Sequence, residues 1–144
     1  MEKITNFRGK YYFLSNFYEA PVEIWNLVFT NNEAAFQSAK LGTVAERGVF
    51  VGLLPSEAKK KGRHVRLRKD WEQVKEGIMY DICLAKFTQN KELGKKLLAT
   101  GDVLLEEGNT WNDREWGKVD GIGKNKLGKA LMKVREELKN TNIN

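Results

Sequence analysis

The chain has 144 residues, 41% of them hydrophobic and 31% charged, with a formal net charge of +6. That length suits one domain whose single core buries roughly two thirds of the unfolded surface, and the composition disfavours disorder. No apolar run approaches the roughly 20 residues of a spanning helix, MEKITNFRGK lacks the apolar centre of a signal peptide, and the lone Cys83 forms no internal disulfide, so a cytoplasmic protein without membrane contact is expected.

Taken in chain order, YYFLSNFY (11–18) reads as an extended aromatic start. VEIW (22–25) and LVF (27–29) follow as a hairpin. A helix over 32–41 is opened by Thr30-Asn31-Asn32-Glu33, which has the spacing of a capping box. Pro55-Ser56-Glu57 starts a short basic helix ending near Gly62. The clearest helix runs from Asp70, as its cap, to about Phe87, with Trp71, Val74, Ile78, Ile82 and Ala85 on one apolar stripe. Asn90 opens another helix, which stops at Thr100-Gly101. VLL (103–105) reads as a short strand, and a last helix over about 125–139 turns Leu127, Leu131, Val134 and Leu138 inward. No repeat, linker or low-complexity tract interrupts the series. The pattern predicts a single α+β domain over 1–144, compact and mostly helical, with a small antiparallel sheet.

With His64 as the lone histidine beside Cys83, zinc centres, Cys-His pairs and two-histidine metal motifs cannot be assembled within one chain. No metal and no cofactor is expected, and acid–base chemistry falls to carboxylates, lysine or tyrosine. The positive charge points to anionic partners, either phosphorylated small molecules or nucleic acid.

Four stretches carry candidate chemistry. In NEAAFQSAK, Glu33, Phe36, Gln37 and Lys40 fall at i, i+3, i+4 and i+7, which lines them along one helical face. A carboxylate, an amide and an ammonium there make one side of a polar pocket; alternatively, Glu33 completes the capping box and Lys40 is solvated. KKKGRHVRLRK (59–69) holds seven Lys or Arg residues in eleven positions. It is a solvated basic face, a nucleic-acid surface, or a segment that turns Arg63 or Arg66 inward to hold a phosphate. EEGNTWNDREWG (106–117) places Trp111 and Trp116 around Asp113, either folded onto the core or walling a pocket where a ring stacks and a carboxylate acts. In DGIGKNKLG (120–128), Gly121 and Gly123 precede a helix beside Lys124, where free amides would bind an anion; a plain loop is the alternative.

FLSNFYEAP (13–21), EAAFQSAK (33–40), the stretch from Gly62-Arg63 to RKDWE (62–72), AKFTQN (85–90), ATGDVLLEE (99–107), NDREWG (112–117) and GKNKLGKALMKVREEL (123–138) occur together and in order. The sequence thereby resembles the YbiA-like, or NADAR, family across nearly its whole length. The resemblance implies a helical α+β fold and an enzyme acting on ribosyl compounds. It implies an N-glycosidase that hydrolyses the C1′–N bond of phosphorylated ribosylamino-pyrimidine intermediates of riboflavin biosynthesis, releasing ribose 5-phosphate. The family also implies an alternative, removal of ADP-ribose from guanine bases, with nucleic acid a partner only as the modified substrate; apart from the family, a basic binding module that senses a nucleotide, ADP-ribose or nucleic acid without turnover stays open. Residue by residue the resemblance marks Glu33, Lys40 and Asp113 as catalytic. It marks Asn16, Phe17, Gln37, Arg63, Asn109, Trp111 and Lys124 as substrate-binding. One departure is Glu107-Gly108-Asn109, where many bacterial relatives have a shorter segment with a histidine.

Overall fold

A computed structural model of the chain describes residues 2–142. Its strands are β1 (Lys3–Ile4), β2 (Glu19–Ile24), β3 (Leu27–Asn31) and β4 (Leu104–Leu105). Its helices are α1 (Asn32–Ser38), α2 (Val44–Arg47), α3 (Pro55–Gly62), α4 (Trp71–Gln89), α5 (Lys91–Ala99) and α6 (Lys126–Asn142). The α+β, mostly helical class expected from the sequence is the class observed. The chain forms two units, one running from Asn16 to Asn90, the other built from the two ends, up to Ser15 and from Lys91 onward.

In the Asn16–Asn90 unit, β2 and β3 pair antiparallel with Val22 opposite Phe29. Trp25 and Asn26 close the hairpin with φ of 54° and 62°, the left-handed pair whose twist matches that of the strands. The Trp25 ring meets Phe29 edge-on at 6.5 Å and takes the Arg47 guanidinium at 4.6 Å. Those contacts offset the unfavourable backbone of a bulky residue. Helix α1 is buried along its whole length and packs against α3, α4 and the hairpin.

The capping box expected from Thr30 and Glu33 does not form. Asn31 is the cap, its side chain accepting the Ala34 N–H at 2.8 Å, while Thr30 Oγ1 donates to Leu53 O at 3.4 Å. Asparagine needs no help from the third residue to satisfy an orphan amide. The helix also stops at Ser38 rather than at residue 41. The Lys40 and Leu41 amides reach back only three residues, to Gln37 and Ser38, the tighter winding typical of a helix end.

Helix α4 begins as expected with Asp70 at its N-cap, but the Asp70 side chain caps no amide. Its carboxylate pairs with Arg68 at 2.6 and 3.1 Å. The buried set is Trp71, Lys75, Met79, Ile82, Cys83, Lys86 and Phe87, whereas Val74, Ile78 and Ala85 are only half-buried. A helix packed on both β2 and α1 buries a wider arc than one apolar stripe, and that arc takes in two lysines. Two short turns that the sequence reading missed, α2 and a 3-10 segment at Gly48–Phe50, follow α1.

In the unit built from the chain ends, the aromatic start is not extended: Gly9–Leu14 is 3-10 helix. Phe13 and Leu14 are both buried, and consecutive buried side chains fit a turn but not the two-residue period of a half-buried strand. The expected strand at 103–105 shortens to β4, which pairs in parallel with β1 through Lys3–Leu104 and Ile4–Leu105. Asn90 closes α4, donating its N–H to Lys86 O at 3.1 Å, and directly precedes α5, which opens and stops where the sequence predicts. Helix α6 buries Leu127, Leu131 and Val134 as its period requires, with Ala130 beside them, and Leu138 is half-buried.

Candidate functional site

The face predicted along Glu33, Gln37 and Lys40 exists in the Asn16–Asn90 unit. Glu33 and Gln37 lie on buried α1, and Lys40 lies just past its end, half-buried. Glu33 is 8% exposed, and its Oε2 accepts the Gln37 side-chain N–H at 2.7 Å. Since a carboxylate accepts but cannot donate when ionised, that bond fixes which end of the Gln37 amide points where. Gln37 Oε1 therefore faces away from Glu33; it is buried and accepts no hydrogen bond. Lys40 Nζ donates to Gly62 O at 3.2 Å. Burial pushes the Lys40 ammonium below its ordinary pKa, the Glu33 carboxylate pulls it back up, and the nearby Arg63 lowers it again. The structure thus brings Glu33, Gln37, Lys40 and Arg63 together at the seam of α1 and the end of α3.

Asn16 and Phe17 lie in the same unit. Asn16 is buried and structural in its contacts: its carbonyl accepts the Glu33 N–H at 3.0 Å, its Oδ1 accepts from Asn32 at 3.4 Å, and its Nδ2 donates to Met79 Sδ at 3.5 Å. It holds the first turn of α1, the one that carries Glu33. Phe17 is half-buried, with Lys59 Nζ 5.8 Å from its ring. The side chains of Lys60, Lys61, Arg63 and Arg66 are exposed.

Asn109, Trp111, Asp113 and Lys124 lie in the other unit. Asn109 is buried; its Nδ2 donates to Asp113 O at 2.9 Å and its Oδ1 accepts the Asp113 N–H at 3.1 Å. Asp113 Oδ1 in turn accepts the amides of Glu115 and Trp116 at 3.0 and 2.9 Å. Together the two side chains frame the loop as a backbone turn would. Trp111 is 49% exposed and Trp116 half-buried, with Lys126 Nζ 5.8 Å from its ring. Trp116 is thus only partly folded onto the core.

The helix start after Gly121 and Gly123 is not a set of free amides. Lys124, Asn125, Lys126 and Leu127 donate their N–H groups to the carbonyls of Arg114, Gly117, Glu115 and Trp116, at 2.8 to 3.2 Å. The loop thus takes the first two amides of α6 and the two that precede the helix, so Lys124 retains only its exposed side chain for an anion.

Two residues outside the expected set shape these surroundings. Asn125, at φ 52°, donates to Leu105 O and accepts the Glu107 N–H. Gly117 is needed for closeness rather than for a turn: it has no positive φ, and a Cβ there would overlap the Glu107 backbone carbonyl oxygen. The glycine was visible in the sequence, but nothing there revealed which neighbour it meets.

The chain is similar to known proteins in four respects. Residues 5–139 match the NADAR domain family. The chain is 39% identical over 128 residues to N-glycosidase YbiA of Escherichia coli strain K12, covering 86% of this chain and 79% of that one. It is 36% identical over 135 residues to riboflavin biosynthesis protein VVA0006 of Vibrio vulnificus, covering 88% of this chain and 35% of that one. The solved NMR structure of Escherichia coli YbiA superimposes with a TM-score of 0.86 at 36% identity, over 99% of this chain and 89% of that one.

Proposed function

This chain belongs to the NADAR domain family, and on that premise we propose that it is an N-glycosidase cleaving phosphorylated ribosylamino-pyrimidine intermediates of riboflavin biosynthesis, with release of ribose 5-phosphate. The name of the Vibrio relative supports the substrate class, and the family match across both units supports reading 1–144 as one functional domain. The observation that carries the reading is the buried Glu33 carboxylate, which is not used in helix capping and lies on one face with a lysine of depressed pKa.

Breaking a ribosyl C1′–N bond develops positive charge at C1′ and negative charge on the departing nitrogen. Glu33, in a dry setting, stabilises the first or activates the attacking water. Lys40 answers the second: its ammonium donates a proton to the leaving nitrogen. A ribosylamine also opens to an imine, and the same amine then captures C1′ as a Schiff base before water releases the sugar. A depressed pKa serves both routes, since it strengthens the acid and enlarges the neutral fraction near pH 7. The Arg63 guanidinium, exposed beside Lys40, is suited to the substrate phosphate.

The deciding experiment offers the chain a ribosylamino-pyrimidine 5-phosphate and an ADP-ribosylated guanine side by side, with and without borohydride. Ribose 5-phosphate released from the first alone supports the reading. ADP-ribose released from the second alone replaces the substrate, and saturable binding with no product from either replaces the enzyme with a sensor. A borohydride-stable adduct on Lys40 selects the imine route.

For the loop of the other unit, the proposed roles are a stacking platform for Trp111, polar substrate contacts for Asn109 and Lys124, and a catalytic or ribose contact for the second carboxylate oxygen of Asp113. Stacking on an aromatic ring contributes roughly 1–3 kcal/mol per base in nucleic-acid proteins. Trp111→Ala is accordingly expected to weaken substrate binding about 10- to 100-fold. Its melting temperature should hold, because half of the ring already meets solvent. Titration and thermal melts on the variant test this; a melt several degrees lower with unchanged affinity would reassign Trp111 to packing.

A further inference from the structure

Gly62 is the last residue of α3, with no positive φ, so its backbone suits any residue. Alanine is the better helix former, and on local grounds a glycine has no advantage there. Its surroundings supply the reason. A Cβ at Gly62 would overlap Gln37 Oε1, lie 2.6 Å from Gln37 Cδ and sit 3.1 Å from Gln37 Cβ. The amide of Gln37 fills the space that a side chain at position 62 would take. The other end of that amide donates to Glu33 Oε2 at 2.7 Å, and the Gly62 carbonyl accepts the Lys40 ammonium at 3.2 Å. One residue therefore touches both chains of contact: it seats the glutamine that orients Glu33, and it holds Lys40 directly.

We propose that Gly62 is a positioning residue for N-glycosidic cleavage, setting the placement of Glu33 through Gln37 and of Lys40 through its own carbonyl. This rests on the reading of Glu33 and Lys40 given above. Gln37 Oε1 packs against the glycine and accepts no hydrogen bond, so sterics alone fix the amide on that side. A methyl group at position 62 drives the amide out, removes the bond it donates to Glu33 Oε2 and shifts the carbonyl from under Lys40. Both changes withdraw support from the charged lysine, since a nearby anion and a hydrogen-bond acceptor each favour the ammonium.

The test compares the whole parent chain with Gly62→Ala, Gln37→Ala and the double variant, using a ribosylamino-pyrimidine 5-phosphate for kinetics and the Lys40 ε-carbon resonance for titration. Gly62→Ala is expected to lower kcat about 10- to 100-fold, the scale of a displacement of about 1 Å at a reacting group, with KM nearly unchanged. Its Lys40 titration should move to lower pH. The double variant should be about as fast as Gln37→Ala, because without the amide only the 3.1 Å contact with the Cβ of residue 37 remains, which a small adjustment relieves. Losses that add in the double variant, or a Gly62→Ala chain with parent kcat and an unmoved Lys40 titration, would overturn the proposal. Should Gly62→Ala not fold, the pair of Gln37→Ala and the double variant decides: equal rates support the assignment and a slower double variant refutes it. If the parent chain cleaves nothing, the functional reading fails separately. The Lys40 titration in Gly62→Ala then decides positioning by itself, a shift supporting it and no shift overturning it.

Discussion

The Glu33→Gln chain is expected to turn over its ribosyl substrate about 10²- to 10⁴-fold more slowly than the parent, the range of a lost acid–base or charge-stabilising group, with little change in affinity. The substitution is isosteric, and the new amide oxygen still accepts from Gln37 Nε2 across the 2.7 Å contact. The cap at Asn31 is untouched, so the helix has no reason to fray. What disappears is the negative charge opposite the cation forming at C1′, and with it part of the field that keeps Lys40 protonated. The pH–rate limb belonging to Lys40 should therefore move to lower pH in the variant, in whatever activity remains. Steady-state kinetics across pH, with a thermal melt as control, measure both effects. Parent kcat in Glu33→Gln would remove the carboxylate from the mechanism.

A second large effect is expected in stability rather than activity. Lys86 is 1% exposed on α4, with its Nζ 5.4 Å from the Tyr18 ring and 5.0 Å from that of Phe87. Burial pushes its pKa from 10.5 down to about 7. Its neighbour Cys83 is pushed by burial from 9.0 up to about 12. Below pH 7 both the native and the unfolded chain hold the lysine proton, and the destabilising effect of the buried charge is present in full. As pH rises through about 7 the native state releases that proton first, and stability climbs by about 1.4 kcal/mol per pH unit for one proton. Above pH 9 the unfolded state ionises its cysteine while the native state does not. That term has the opposite sign and levels the curve. Denaturant titrations from pH 6 to 10 should thus show a rise followed by a plateau. Lys86→Met should flatten the rise and gain about 1–4 kcal/mol at pH 6, the scale on which apolar residues outperform buried charges. Cys83→Ala should let the rise continue past pH 9. A Lys86→Met chain that keeps the parent slope would refute the account.

Local rules located the hairpin, the basic helix and the last helix, because each is announced by its own turn residues or period. They failed where tertiary contacts override them. YYFLSNFY has strand composition but turns on Gly9 and buries neighbouring residues. Asp70 has the residue type of a cap but finds a better partner in Arg68. The apolar stripe assigned to α4 omitted Lys75 and Lys86, since no local signal says that a lysine will be buried. For the candidate site, spacing showed that Glu33, Gln37 and Lys40 share a face, and the seven ordered segments gave the family. That Glu33 is released from capping depends on Asn31 accepting the amide first, and that Gln37 lies against Gly62 depends on how α1 meets α3. The first contact spans only three residues, but nothing local says which of Thr30 and Asn31 takes the amide; the second is not encoded at short range.

The four amides that lead into α6, from Lys124 to Leu127, spend themselves on the carbonyls of residues 114 to 117. The outline of the tryptophan loop is therefore written in main chain, with Asn109, Asp113, Gly117 and Asn125 as its few obligatory letters. Thr110, Trp111 and Arg114 are exposed and can be exchanged while the ribbon beneath them keeps its course. A lineage can in this way retune what the loop touches by single substitutions, without first passing through a misfolded intermediate. A laboratory library confined to those three positions should stay folded across most of its members.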